Sequence, residues 1–410
     1  MSAPNAEQLK QRIDALRNAW ELTLCDMSPE KIIMTMSKVS RMWQKDGRWY
    51  PRAMEAKSRY PFDMVKPSLE RFLRGMEGSE VNSTLYHDWR SVGASSYLFK
   101  KVNEIGYPVS AHILAGNVPL LGWENIVASL IAHSCPFLKL SSQETAWVPL
   151  LVDSIREVDP KLAQCIDFEV WPGAEGPTAE LLSQADCVVA YGSDETITTL
   201  RDMTPTSSPF YGYANRFSAA WISQKEANER SAALLAQDCS RYFQLGCLSP
   251  QIVFVEGDSL AYAELLAGKI EAEISAYPVD LTFDEAVSVR REREAANFVA
   301  CSRQWGDPKL TWTVIHSDKP IWNLLGVFGT TNICPVSSIE QAVEQLKPYN
   351  ARMQAIGYAR KLSKETKAVL NYLNVPLICP IGTMQTPPFG WHADGRSLLL
   401  SLLQRSEIEW

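Results

Sequence analysis

Apolar and polar positions alternate differently in different parts of this chain. Residues 1 to about 90 are heavily charged, with scattered aromatics at Trp20, Trp43, Trp49 and Trp89, and read as mostly helical. Beyond them, short apolar runs at His112–Ala115, Phe137–Leu140, Phe168–Trp171 and Cys187–Tyr191 alternate with amphipathic segments of helix length. The stretch Thr204-Pro205-Thr206-Ser207-Ser208-Pro209 reads as a surface loop. A second alternating block follows, with strands expected near Ala219–Ile222, Ile252–Val255 and Trp312–Ile315. Strands that alternate with helices need crossover connections, so the pattern predicts an α/β fold with doubly wound parallel sheets. The expected division is a helical region over 1–90, α/β domains over 91–220 and 221–385, and a C-terminal tail over 386–410. The run Arg290-Arg291-Glu292-Arg293-Glu294 mixes charges at helical spacing and reads as a solvated helix face.

Composition narrows the partners. The 410 residues are 46% hydrophobic and 21% charged, as in a soluble globular chain long enough for two or three domains. A net charge of -7 disfavours a broad phosphate-binding surface, so nucleic acid is not an expected partner. The most apolar region, Ile113 to Leu140, is interrupted by Asn117, Pro119, Glu124, Asn125 and Pro136. It therefore falls short of the roughly 20 continuous apolar residues of a membrane span. The first residues lack the basic start and apolar run of a secretory signal. Nine cysteines, an odd number without metal-ligand spacing, point to reduced thiols and a cytoplasmic setting. The five histidines show no H-E-x-x-H spacing and no G-x-S-x-G elbow occurs, so neither a metal site nor a serine hydrolase is expected.

Candidate chemistry concentrates in five loops. In Phe243-Gln244-Leu245-Gly246-Cys247-Leu248-Ser249-Pro250-Gln251, a cysteine lies between a helical segment, Ala227 to Tyr242, and an apolar strand. Gly246 keeps the approach to the sulfur uncrowded. Most unpaired cysteines are small buried hydrophobes, a reading that suits Cys135 and Cys187 better than Cys247. Asn117, after the first apolar run, offers an uncharged donor suited to an oxyanion, although by itself an asparagine there is more often a helix cap. Lys139, ahead of Ser141 and Ser142, either points into a ligand crevice or caps a strand edge. Gly173 and Gly176, ahead of Pro177 and Thr178, leave backbone open to a flat ring or a pyrophosphate, or merely turn the chain. Ser193 after Gly192 is a good N-cap, and a helix N-terminus attracts phosphate. No G-x-G-x-x-G fingerprint is present.

Taken in chain order, from Asn117 to Cys247, the five loops resemble the aldehyde dehydrogenase superfamily, and more closely its luminescence-type long-chain acyl-CoA reductase (LuxC-like) branch. Ala115-Gly116-Asn117-Val118-Pro119 is similar to the loop of the catalytic asparagine, and Phe137 to Ser142 to the ribose-binding lysine loop. The turn Pro172-Gly173 through Gly176-Pro177-Thr178-Ala179 resembles the superfamily's P-G-x-x-G-P-T-A, and Tyr191-Gly192-Ser193 its pyrophosphate loop. Gly246 to Gln251 resembles the branch's nucleophile segment. Gly382-Thr383-Met384 and Gly390-Trp391-His392-Ala393-Asp394-Gly395 resemble its C-terminus. The match runs from about residue 90 to the end.

The resemblance implies a nucleotide-binding domain over 91–220 and a catalytic domain over 221–385. It implies Cys247 as nucleophile with Asn117 at the oxyanion. Lys139, Ser142, Gly173, Gly176, Thr178, Gly192 and Ser193 would then lie along a bound NADPH (NADP+). Hydrolytic relatives carry a glutamate where this chain has Tyr211-Gly212-Tyr213-Ala214-Asn215-Arg216, so water attack on an acyl-enzyme is expected to be slow. Ser142 replaces a ribose-binding glutamate of NAD-preferring relatives and so favours a 2′-phosphate. Gly326-Val327-Phe328-Gly329-Thr330 lacks the acid of a second ribose-binding loop. The expected activity is NADPH-dependent reduction of an acyl-CoA or other acyl thioester to a fatty aldehyde, with an acyl-donating protein as a further partner and homo-oligomers as the usual assembly. The alternatives are a CoA-acylating aldehyde dehydrogenase working oxidatively, a cysteine acyl-transfer protein without hydride chemistry, and a non-catalytic subunit.

Overall fold

The computed structural model describes residues 3–45, 47–79, 88, 104–173, 176–322, 326–359 and 361–405; Trp89 lies outside these residues. The chain divides into two compact units, Met1–Ala214 with Pro388–Trp410, and Asn215–Pro387. The fold is α/β throughout the region of alternating pattern. No described helix is long and apolar enough to cross a membrane.

In the first unit, β1 (Glu104–Gly106) pairs antiparallel with the C-terminal β14 (Leu403–Arg405). The main sheet contains β2 (Val109–Ile113), β3 (Cys135–Leu140), β4 (Asp167–Val170), β5 (Cys187–Tyr191) and β6 (Phe210–Tyr213). All are parallel, in the order β4-β3-β2-β5-β6. The order reverses between β2 and β5, which defines a switch point at their carboxyl ends. β2 begins three residues before its apolar run because Ser110 and His112 are buried polar residues. His112 Nδ1 donates to Asn125 Oδ1 at 2.7 Å, the tautomer required because the Asn125 amide nitrogen donates to the Leu121 carbonyl. Its Nε2 faces the Ser110 and Ser129 hydroxyls at 2.9 and 3.0 Å. This network joins the sheet to the helix Leu121–Ile131.

The N-terminal helices Ala6–Ala19, Pro29–Lys45, Trp49–Glu55 and Phe62–Gly75 belong to this unit. Trp43 stacks on Trp49 at 5.5 Å and meets Trp123 edge-on at 5.1 Å. Trp123 in turn meets Trp147 at 6.2 Å. The four indoles are fully buried and join the helices to the sheet's own covering layer. A polar clasp adds to them. Arg12 forks onto Asp167 at 2.6 and 2.8 Å, reaches Glu169 at 2.9 Å and lies over the Phe137 ring. Arg17 holds Asp186, which also accepts from the Val109 N–H.

The second unit has one seven-stranded sheet among the described residues. Its strands are β7 (Phe217–Ile222), β8 (Pro250–Glu256), β9 (Arg303–Gly306), β10 (Thr313–His316), β11 (Thr330–Val336), β12 (Met353–Tyr358) and β13 (Leu377–Pro380), in the order β13-β12-β7-β8-β11-β10-β9. All pairs are parallel except that of β9 with β10. Phe217, Phe254, Val336, Leu346, Ile356 and Leu370 fill one face. The charged run lies on the helix Phe283–Asn297, which is largely solvated. Arg293 departs from the expected pattern. It folds inward, donating to Thr313 Oγ1 and to the Asp307 and Trp312 carbonyls at 2.8–2.9 Å.

Two outcomes test this account. Replacing Arg12 with alanine leaves Asp167 and Glu169 without their partner and is expected to cost about 2 kcal/mol in denaturant unfolding at neutral pH. Arg12→Lys, which keeps charge but not the fork, should cost less. Burial pushes the His112 imidazole down to about 4, whereas in the unfolded chain it protonates near its ordinary 6.5. Between these values only the unfolded state takes the proton, so stability falls as pH drops from about 6.5 toward 4, by on the order of 3 kcal/mol. A His112→Gln variant should be less stable at pH 7.5 but lose less between pH 7.5 and 5. Equal slopes for the two proteins would show that His112 is not the group responsible.

Candidate active site

Four of the five loops leave the carboxyl edge of the first unit's sheet. The chain after β2 carries Gly116 and Asn117 and flanks the switch point. Asn117 does not cap a helix: the next one begins at Leu121 behind Leu120, which makes no side-chain cap bond. Instead the Asn117 carbonyl accepts from the buried Tyr60 hydroxyl at 3.0 Å. A side chain at Gly116 would sit 2.5 Å from Ser141 Oγ, so only glycine lets this loop lie against the one after β3.

Lys139 is 7% exposed in β3, opposite Ile113 and Glu169. Burial lowers its pKa from the ordinary lysine value. Among the described residues no hydrogen bond or ion pair reaches its ammonium, an arrangement that suits an anionic or hydroxyl-rich ligand. Ser142 is exposed in the turn Ser141–Glu144. Glu144, two residues on, faces inward. Its carboxylate accepts from Ser58 Oγ at 2.6 Å and from the Ala146 N–H at 3.0 Å, and burial raises its pKa. The turn therefore presents a hydroxyl outward while its carboxylate serves the fold.

Gly173 and Gly176 adopt φ of +69° and +70°, and a Cβ at Gly176 would meet nothing within 4 Å. Thr178 is fully buried in the first turn of the helix Pro177–Gln184, where its hydroxyl accepts from Trp171 Nε1 at 2.8 Å. Beyond β5, Ser193 caps the ten-residue helix Asp194–Met203 through Thr196 N at 3.2 Å. Gly192 lies against Thr196, too close for a Cβ. The edge thus offers a buried lysine unpaired among the described residues, open glycine backbone and a helix N-terminus. These groups fit a nicotinamide dinucleotide's ribose, adenine and pyrophosphate.

Cys247 belongs to the second unit and lies at the opposite kind of edge, the amino end of β8. The helix Glu229–Ser240, shorter at both ends than its polar pattern predicts, is capped by Asn228. Tyr242, Phe243 and Gln244 then take left-handed φ of 55°, 54° and 65° in succession. For residues with a Cβ this costs roughly 1–2 kcal/mol each. The surroundings hold them there. Phe243 stacks on Phe328 at 5.4 Å, its carbonyl accepts from the Gly329 N–H at 2.9 Å, and Gln244 Nε2 donates to the Pro250 carbonyl at 2.7 Å.

Next comes a β-turn in which the Ser249 N–H donates to the Gly246 carbonyl at 2.9 Å, with Cys247 at the first corner. The Cys247 carbonyl accepts from Ser218 Oγ at 2.7 Å. Cys247 is partly exposed, and its sulfur lies 3.9 Å from the Gln354 amide nitrogen. Gly246 is buried, and a Cβ on it would stand 2.9 Å from Gln385 Oε1; the glycine makes room beneath the turn, for Gln385. Elsewhere burial pushes the Cys187, Cys239, Cys334 and Cys379 thiols up to about 12.

Ser58, Tyr60, Ser218, Gln354 and Gln385 do not stand out in the sequence. Each is an ordinary polar residue far along the chain from the loop it supports, without a local pattern to mark it.

Solved aldehyde dehydrogenases share this fold. An indole-3-acetaldehyde dehydrogenase complexed with NAD+ superposes on 99% of this chain and 89% of its own with a TM-score of 0.76 at 11% identity. The glyceraldehyde-3-phosphate dehydrogenase GapN of Methanocaldococcus jannaschii, complexed with NADP, gives 0.74 at 11% identity over 98% of this chain and 94% of its own. Among curated proteins, the long-chain acyl-protein thioester reductase of Aliivibrio fischeri is 28% identical over 244 residues, 57% of this chain and 50% of that one. Long-chain acyl-protein thioester reductase 2 of Photobacterium leiognathi is 24% identical over 266 residues, 63% and 53% of the two chains. This chain spans about half the length of these relatives. Residues 24–405 match the model of the acyl-CoA reductase (LuxC) family, and the chain belongs to that family.

Proposed function

We propose that this protein reduces a fatty acyl thioester to the aldehyde with NADPH, by way of a thioester on Cys247. The observation that carries the reading is Cys247 itself, part-exposed at the corner of a braced turn in a chain of the acyl-CoA reductase family. Relatives named for acyl-protein thioesters support a fatty acyl donor, on coenzyme A or on a protein.

Cys247 attacks the acyl carbonyl as thiolate, and its own N–H and the Asn117 amide donate to the oxyanion. The carrier thiolate departs when that tetrahedral adduct collapses. Lys139 and Ser142 hold the adenosine ribose and its 2′-phosphate, Gly173 and Gly176 leave room for adenine, Thr178 braces that turn through Trp171, and Gly192 and Ser193 receive the pyrophosphate. Bound NADPH supplies the hydride that takes the acyl carbon to the aldehyde level. Cys247 is released as thiolate when the resulting hemithioacetal breaks its C–S bond and the aldehyde forms. No carboxylate stands in Tyr211–Arg216 to activate water, and the Gly212 carbonyl there accepts from Arg396 at 2.7 Å. Water attack on the acyl-enzyme is thereby slow, which favours reduction over release of free acid.

NADPH absorbance on adding a panel of acyl-CoAs and acylated carrier proteins should fall in an acyl-dependent way, and Cys247→Ala should reduce the rate at least a thousandfold. Acyl labelling of Cys247 without NADPH oxidation would replace the reading with acyl transfer. Introducing Ser142→Glu should lower kcat/KM for NADPH by more than tenfold and leave NADH little changed, because the new carboxylate repels only the 2′-phosphate. Equal efficiency of the two cofactors in the wild type would refute the assignment of Ser142.

A further inference from the structure

The residue beside the Cys247 sulfur occupies an irregularity in the sheet. In the pairing of β12 with β7, Met353 opposes Phe217 and Ala355 opposes Ser218, so Gln354 is the extra residue of a bulge. A bulge redirects the side chain it displaces. Here Gln354 is 3% exposed and its Nε2 points to Cys247 Sγ, 3.9 Å away. Ser218, at the same bulge, donates to the carbonyl of that cysteine. Neighbouring strands thus supply one donor to its carbonyl and one to its sulfur. A second register shift lies next to the first, between Ser218 and Ala219 against β8, where Gln251 is the extra residue.

A buried amide N–H bonds more strongly to a thiolate than to a neutral thiol, and burial keeps it from pairing with water instead. The contact is long for the uncharged sulfur and would tighten on ionisation, as donors to a reacting atom often do. An uncharged donor also limits the effect. A strongly depressed thiol makes a weaker nucleophile, whereas a moderate donor raises the thiolate fraction and leaves the sulfur reactive. We infer that Gln354 is a donor that stabilises and orients the Cys247 thiolate for attack on the acyl carbonyl. The inference rests on the proposed role of Cys247 as nucleophile and adds a residue to it.

Other titratable and charged groups lie on the elements around this turn. Asp238, raised to about 7 by burial, accepts from the Met384 N–H, and Gln385 links the Asp238 carbonyl to Ser249 Oγ. Arg241 follows on the same segment, and Tyr358 ends β12. The test therefore compares variants over the whole pH range.

Iodoacetamide alkylation of the full-length protein from pH 5.5 to 10, read at the Cys247 peptide by mass spectrometry, separates this thiol from the other eight. Gln354→Leu and Gln354→Met, close in size but without a donor, should move the alkylation midpoint up by about one pH unit, a tenfold loss of thiolate near neutral pH. Gln354→Glu, with a carboxylate at the same reach, should move it further. Acylation by an acyl-CoA should slow tenfold at pH 7 in the leucine variant and recover by pH 9.5. Alkylation profiles of the leucine and methionine variants that overlay the wild type, even with lowered melting temperatures, would reduce Gln354 to a packing residue. Alkylation needs neither acyl donor nor cofactor. A shifted profile without reductase activity would keep this inference and sink the proposed function; an active reductase with overlaid profiles would do the reverse.

Discussion

A parallel strand covered by helices on both faces has nowhere to present chemistry along its length. Its polar backbone is consumed by its neighbours, its side chains are buried, and only the ends reach solvent. In the first unit this puts four candidate loops on one edge, with the reversal of strand order between β2 and β5 opening a crevice there. Lys139 shows the same constraint at residue level: it is the last polar group of a buried strand, and its ammonium pairs with nothing described.

The N-terminal helices support that edge, and those from Pro29 to Gly75 lie within the stretch that matches the family. Tyr60 holds the Asn117 carbonyl and Ser58 holds Glu144, so one short segment steadies the loops after both β2 and β3. Drawing Glu144 inward settles which group the lysine turn presents. The exposed position belongs to Ser142, the hydroxyl that suits a phosphorylated ribose in the proposed reading. The Trp43–Trp49–Trp123–Trp147 cluster and the Arg12 clasp make the helices integral to the unit.

The cysteine turn is built by different means. Three successive left-handed residues lead into it, held by Phe328, Gly329 and the Gln244 amide. Around it stand neutral donors, Ser218 and Gln354, with Gln385 beneath. Strain of this kind persists only where neighbours over-determine the conformation. Neutral amides can do that without committing the sulfur to a permanent ion pair.

The sequence by itself determined the fold class, because strand and helix periods are local and survive in one dimension. Strand β5 begins and ends where its apolar run does, whereas β2 started early because only tertiary burial makes Ser110 and His112 interior residues. The candidate loops were equally legible: glycine, proline and N-capping serine act within a few residues of themselves. Tertiary structure alone decided what surrounds them. Asn117 is legible as a cap or as a donor, and only the helix start at Leu121 removes the cap. Gly246 reads as clearance for the sulfur, yet the space it leaves is taken by Gln385, 139 positions away. Gln354 acquires its contact with Cys247 from a one-residue slip between two strands. Such a slip depends on which strands pair and in what register, and no stretch of sequence around either residue records it.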